Sequence, residues 1–219
     1  MFCKDCQDKK NSDVHKIQRD GSMTHEQDTG RRDGRRERTR QRIIKATVEL
    51  HQTVGMARTT ISAIAEKARV QRLTVYRHFP DERTLFYACR GHWSAANPPP
   101  DPGSWSQIAD PHERLRLALG EVYAYHHQTE PMMSNVVRDA QVHPLTREMA
   151  EPYFQHWEQM RYVLATGWGV GKEHLTLLLG TVGHALDFQT WRSLVRQQGL
   201  SDEQAVEAMV GMVRCLTRD

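Results

Sequence analysis

Residues 59–79, TTISAIAEKARVQRLTVYRHF, decide the fold. Ile61, Ile64, Ala65 and Ala68 recur at i, i+3, i+4 and i+7, the apolar stripe of a short amphipathic helix. Thr59 or Thr60 precedes the stripe and can accept hydrogen bonds from the free amides of its first turn. Ala65 is small where a second helix must cross closely. Val70 then plugs a turn, and Gln71–His78 form a second helix bearing Arg72, Thr74, Tyr76, Arg77 and His78. Those side chains reach phosphates and base edges. Two short helices around a tight turn make a helix-turn-helix, whose second helix enters a DNA major groove.

Upstream, Ile43, Ala46 or Thr47, Leu50 and Val54 keep one face apolar, which predicts a first helix over Glu37–Val54. Gly55 follows, where a chain commonly leaves a helix in the left-handed conformation. This helix backs the two-helix reader and completes a three-helix core. Before it lies GRRDGRRERTR, residues 30–40, an arginine-rich arm suited to the DNA backbone or an adjacent minor groove. Residues 1–30 are polar and aperiodic and are expected to be a disordered extension. Downstream, Pro80 stops the second reader helix and Asp81 can cap the next. Leu85, Phe86, Cys89 and Trp93 then carry a fourth helix to NPPPDPG, residues 97–103, a boundary loop.

Charge divides the 219-residue chain. Residues 31–92 hold 15 Lys and Arg against 6 Asp and Glu, whereas residues 93–219 hold 10 against 15. A basic module joined to an acidic one points to a polyanion as partner of the first. No apolar run approaches the roughly 20 residues that span a bilayer, and the N-terminus lacks the apolar core of a signal peptide. The expectation is a cytoplasmic protein with no membrane contact and reduced thiols. Cys3 and Cys6 form a C-x-x-C without a second pair at zinc-site spacing, so an incidental tail motif is expected. Cys89 and Cys215 fall in helical patterns and read as buried apolar residues.

The run from about Arg38 to Trp93, a quarter of the chain, resembles the DNA-binding domain of the TetR family of one-component transcriptional regulators. The matching residues are T-T-I-S-x-I-A from Thr59, V-x-R-x-T-V-Y-R-H-F-P from Val70, and Leu85-Phe86, without gaps. Four positions depart from the family pattern. His51 stands where a large apolar residue is usual, and Gln71 replaces a serine-type cap. Arg69 replaces a turn glycine, in a conformation that costs other residues about 1 kcal/mol. Glu82 falls where a phosphate-contacting lysine is common, and Arg83 beside it can substitute.

The resemblance implies an all-α homodimer: residues 31–83 as the DNA-binding domain and residues 84–219 as a helical ligand-binding and dimerisation domain. It implies a repressor on a palindromic operator in double-stranded DNA, released by a small-molecule effector, without a cofactor. On that reading Arg72, Leu73, Thr74, Tyr76 and Arg77 face the major groove. Arg72 is the best base reader, because a guanidinium can bond guanine O6 and N7 together. Thr60, Ser62, Tyr76, His78 and the arm, through Arg36 and Arg40, grip phosphates and fix register.

The second domain shows no strand alternation. Asp110-Pro111-His112-Glu113 is a strong helix start, and Leu115, Ala118, Leu119 and Val122 give the following face. Glu130-Pro131 is read as opening another helix through Asp139, and Leu145–Thr166 as a further one containing Pro152. Leu175 to Leu186 is helical and is read as continuing to Gly199. Ser201 and Gln204 form a capping box for the last helix, with Ala205, Ala208, Met209, Met212, Val213 and Leu216 on one stripe. By themselves these last two helices could complete a monomer core. The resemblance implies that they pair with their counterparts in a second subunit.

No phosphate loop, nucleophile elbow or zinc-protease motif occurs, so no enzyme is expected. His126, His127, Asp139 and His143 invite a metal, but exposed or core histidines are the default and no metal is expected. For the effector pocket of the resemblance, the expected lining is Tyr123, His126, Met132, Arg138, Phe154, Trp157 and Trp191, apolar residues with polar points among them. The rival reading is a ligand-independent, architectural DNA binder, favoured if the second domain proves fully packed.

Overall fold

A computed structural model of the protein describes residues 30–216. The expected disordered extension and the Cys3–Cys6 pair therefore lie outside the described residues, Gly30 apart. The described chain is all-α, with no strand. In order it forms α1 (residues 30–53), a 3-10 turn at Met56–Arg58, α2 (Ile61–Lys67), α3 (Arg72–His78) and α4 (Glu82–Ala96). Then come α5 (Pro102–Trp105), α6 (Pro111–Asp139), α7 (Pro144–Leu164), α8 (Lys172–Leu186), α9 (Phe188–Arg192), a π-turn at Ser193–Gln197 and α10 (Asp202–Cys215).

Two cores result. The first gathers Ile43, Ile44 and Ala46 of α1, the α2 stripe, Val75 of α3, Phe79, and Leu85, Phe86 and Cys89 of α4. Met149 of α7 closes it from the other half of the chain. Thr60 caps α2 by accepting from the Ala63 amide at 3.2 Å, and Asp81 caps α4 by accepting from Thr84 at 2.6 Å, bonds typically worth about 1 kcal/mol each. Between α2 and α3 the chain turns through Arg69 at φ 54°, the one positive φ outside glycine among the described residues. The second core lies among α5 to α10, where Leu115, Leu119, Val122 and Tyr123 of α6 meet Met160, Leu178, Val182, Trp191 and Val213.

Several sequence expectations change. The first helix begins at residue 30 rather than 37, so the arginine arm is helical and continuous with α1. Arg, Glu and Gln dominate that stretch and favour helix. Pro131 opens no new helix: it sits inside the 29-residue α6. The helix that begins α8 ends at Leu186 instead of continuing to Gly199, because the Asp187 carboxylate accepts from Gln189 and Thr190 amides and starts α9. Part of the boundary loop also folds, with Asp101 and Pro102 starting the single turn of α5 around buried Trp105. Cys89 is buried as expected, but Cys215 is exposed. Ala208 and Met212 leave the buried face of α10, which is Ala205, Val206, Met209, Val210 and Val213.

Candidate functional site

The outward surface of α3 is the first feature of note. Arg72, Leu73, Tyr76 and Arg77 are exposed, Leu73 by 73%, and Thr74 is half-buried. An exposed leucine and tyrosine between arginines have no partner among the described residues to account for them. Gln71 starts α3 without a side-chain cap, leaving first-turn amides of α3 unmet by it. Arg77 donates to Thr74 Oγ1 at 3.1 Å, which sets its guanidinium along the helix. Thr60 and Ser62, at the start of α2, are exposed as well.

The arm and the end of α3 converge on His78. Partial burial lowers the pKa of this imidazole, and Arg36, Arg77 and Arg40 lower it further by repulsion. The same arginines that discourage its charge form an anion-attracting cluster. Arg40 also lies over the Phe79 ring, 5.2 Å from its centroid, which fixes α1 against the end of α3. Glu82 is exposed at the start of α4, whereas Arg83 is engaged by Glu148 of α7.

The second feature joins the two halves of the chain. Asn135 Nδ2 donates to the His51 carbonyl at 2.9 Å and the Gln52 carbonyl at 2.8 Å. Arg138 donates to the Val54 carbonyl at 3.1 Å and, through Nε, to Asp139 Oδ1 at 2.8 Å. Asp139 Oδ2 accepts from the Ala57 amide at 3.0 Å. Three residues at the end of α6 thus satisfy two of the last carbonyls of α1, the Val54 carbonyl just beyond it and an amide of the following turn. Burial alone raises the Asp139 pKa, but the bonds from Arg138 and Ala57 outweigh it and hold the carboxyl below its usual value. Gly55 passes through this clamp at φ 94°, ψ 163°, an extended mirror conformation rather than the left-handed helical one. Any Cβ there would collide with the Arg138 guanidinium and the Asp139 carboxylate.

Beside the clamp lies a cavity of about 300 Å³. Val48 and His51 of α1, Phe86, Cys89, Arg90 and Trp93 of α4, Met132, Met133 and Val136 of α6, and Met149, Tyr153 and His156 of α7 line it. His51 is buried with its ring edge-on to Phe86, centroids 4.6 Å apart, and its Nε2 has no hydrogen-bond partner. Burial pushes its pKa down to about 4; Asp139 opposes the shift and His143 adds to it.

Of the residues expected to line a pocket, Met132 alone is on this wall. Tyr123, His126, Trp157 and Trp191 instead pack with Tyr125 and Phe188 in an aromatic cluster. His126 Nε2 meets the Leu186 carbonyl at 3.0 Å, and Tyr123 donates to the Ala185 carbonyl at 3.0 Å. Arg138 belongs to the clamp, and Phe154 is exposed on α7. Flat rings fill space efficiently, so a run of aromatics marks a closed core more readily than a hollow one. Among the missed residues, His51 had a signal: a polar side chain at a core position of α1. Arg90 and Tyr125 had none, since their positions read as ordinary helix surface or core. No group of three metal-ligating side chains forms among the described residues, and His126 and His143 lie in separate surroundings. No helix among those residues is long and apolar enough to cross a membrane.

A basic, outward-facing helix on a three-helix core, clamped to a helical domain with a cavity at their junction, is the architecture of a helix-turn-helix regulator. Residues 43–89 match the model of the bacterial regulatory proteins of the tetR family, so the chain carries a TetR-family DNA-binding domain. Solved structures share the whole fold. A TetR-like transcriptional regulator from Rhodococcus sp. RHA1 aligns at TM-score 0.59 and 19% identity, over 83% of this chain and 97% of that one. A Clostridium perfringens protein provisionally described as a fatty acid metabolism regulator aligns at TM-score 0.56 and 15% identity, over 78% and 96%. A mutant HlyIIR protein carrying a substituted linker aligns at TM-score 0.56 and 17% identity, over 80% and 97%. No curated protein matches the chain in sequence.

Proposed function

We propose that the chain is a homodimeric repressor that binds a palindromic operator through α3 and is released by a small molecule held in the cavity. The observation that carries this reading is the position of the cavity. It is walled by α1 and α4, which hold the reader, and by α6, whose end clamps α1. A ligand there touches α1 and α4 of the reader's half and α6 of the other at once. Its effect on DNA affinity equals its preference for the non-binding arrangement, a coupling typically of about 1–3 kcal/mol. The cavity also favours this reading over a ligand-independent architectural binder.

In the complex Arg72 reads guanine, Leu73 and Tyr76 supply apolar contact, and Thr60, Ser62, His78, Arg36 and Arg40 grip phosphates. The dimer forms through α8 and α10. Leu175, Leu177 and Met212 are each 42–52% exposed there, and a second subunit would bury them. Two readers about 34 Å apart then reach successive major-groove faces of one operator.

The test is a binding-site selection with the full chain and with Arg72→Ala. The variant should lose its preference at one position of each half-site, by about 1–3 kcal/mol. Identical selected sequences would remove Arg72 from the reading, and recovery of no duplex at all with the parent chain would remove the DNA-binding proposal.

A further inference from the structure

The wall of the cavity carries full charge at one residue. Arg90 of α4 is half-buried, lines the chamber, and makes no ion pair or side-chain hydrogen bond among the described residues. Other arginines near the interface of the two halves are engaged. Arg83 pairs with Glu148, Arg138 with Asp139, and Arg147 donates to the Ala140 and Gln141 carbonyls. No Asp or Glu lines the chamber. Of its two imidazoles, His51 is kept neutral by burial, and His156 has its Nε2 engaged by the Pro100 carbonyl at 3.0 Å.

A guanidinium keeps its charge at any pH the protein meets. Half-burial against apolar side chains removes part of the water that would otherwise compensate it. An arginine in this situation is completed by an anion, and its planar fork matches a carboxylate. The rest of the chamber asks for something apolar. Met56, Met132, Met133 and Met149 present adaptable thioethers, and Phe86 and Trp93 add flat walls. Tyr125, although 93% buried, has a hydroxyl without a hydrogen-bond partner among the described residues, one of several polar points on the wall.

Resting on the reading of this cavity as the effector site, we propose that its ligand is an anionic amphiphile, with one carboxylate on Arg90 and an apolar body among the methionines and aromatic rings. A cation finds no counter-charge on the wall. A neutral molecule of the same shape leaves Arg90 unpaired. The carboxylate acts on α4, the helix that directly follows the reader, while the apolar body presses on α6 beside the clamp.

The test uses the full chain and three matched series: phenylalkanoic acids of increasing chain length, their primary amides, and the corresponding amines. Binding is followed by calorimetry and by tryptophan fluorescence, since Trp93 lines the chamber. The acids should bind at least about tenfold more tightly than their amides, and the amines most weakly. In Arg90→Gln the acids should fall to the level of the amides, whose own affinity stays the same. Arg90→Lys should keep part of the preference, through charge without the fork. Amides equal to acids, amines tightest, or an acid preference that survives Arg90→Gln would each overturn the proposal. The first two, if accompanied by release from DNA, would leave the effector reading standing. Failure of all three series to bind would remove both.

Discussion

His126 and His51 are both buried, and burial pushes both imidazoles from 6.5 down to about 4. Their surroundings differ completely. His126 is enclosed by Tyr123, Tyr125, Trp157, Phe188 and Trp191, with ring centroids 5.2–6.3 Å away; its Nε2 meets a backbone carbonyl while its Nδ1 has no hydrogen-bond partner. His51 has one ring neighbour, an unpartnered Nε2, and a place on the wall of a cavity. The first lies where helices of one domain pack on one another. The second lies where two separately built cores meet. Interlocking rings complete a core, whereas methionines from three segments at a junction leave room between them.

If that contrast is right, truncation costs more in the closed cluster than beside the hollow. Trp191→Ala should lower the unfolding free energy by about 3–5 kcal/mol, and Met132→Ala by about 2 kcal/mol or less, because space already exists beside it. Urea titrations of both variants at one pH would decide, and equal losses would erase the distinction.

Acid sharpens the comparison next. The unfolded chain takes up protons on these histidines near pH 6.5, while the folded chain resists until about pH 4. Stability from this source is therefore complete above pH 6.5 and is lost as pH falls through that window. The slope approaches about 1.4 kcal/mol per pH unit for each histidine. His51→Leu should remove one buried histidine's share of the dependence, as read from urea midpoints between pH 7.5 and 5. A variant curve parallel to the parent's would show that His51 is not held neutral.

The smallest effect is expected from filling the hollow. Ala150 of α7 is buried on the cavity wall. Ala150→Leu should change stability by less than about 1.5 kcal/mol, yet weaken any ligand that fills the chamber. Ligand affinity that is unaffected by the larger side chain, measured by calorimetry, would place the ligand elsewhere.

The reader was legible because its signals are local. The α2 stripe, the Thr60 and Asp81 caps and Pro80 all act within a few residues, and even the departure at Arg69 marked a positive φ. The Ser201–Gln204 capping box was legible for the same reason. Pro131 misled, because a helix packed along its length tolerates a proline that would break an isolated one. The cavity was illegible in a stronger sense. It is bounded by residues from 48 to 156, and a void has no residue of its own. The clamp was hidden likewise, since Asn135 and Asp139 meet carbonyls and an amide 82–84 residues away.

That clamp has a mechanical consequence. The helix running from residue 30 to 53 is about 36 Å long at 1.5 Å per residue. It is gripped at its carboxyl end by Asn135 and Arg138 and carries its arginines toward the opposite end. Such a rod is a lever with its short arm in the acidic half of the chain. A tilt of about 5° at the grip displaces the far tip by about 3 Å, the length of one hydrogen bond. On the proposed reading, a movement too small to disturb packing near Met132 would thus shift Arg36, about 26 Å from the grip, by about 2 Å relative to a phosphate it holds.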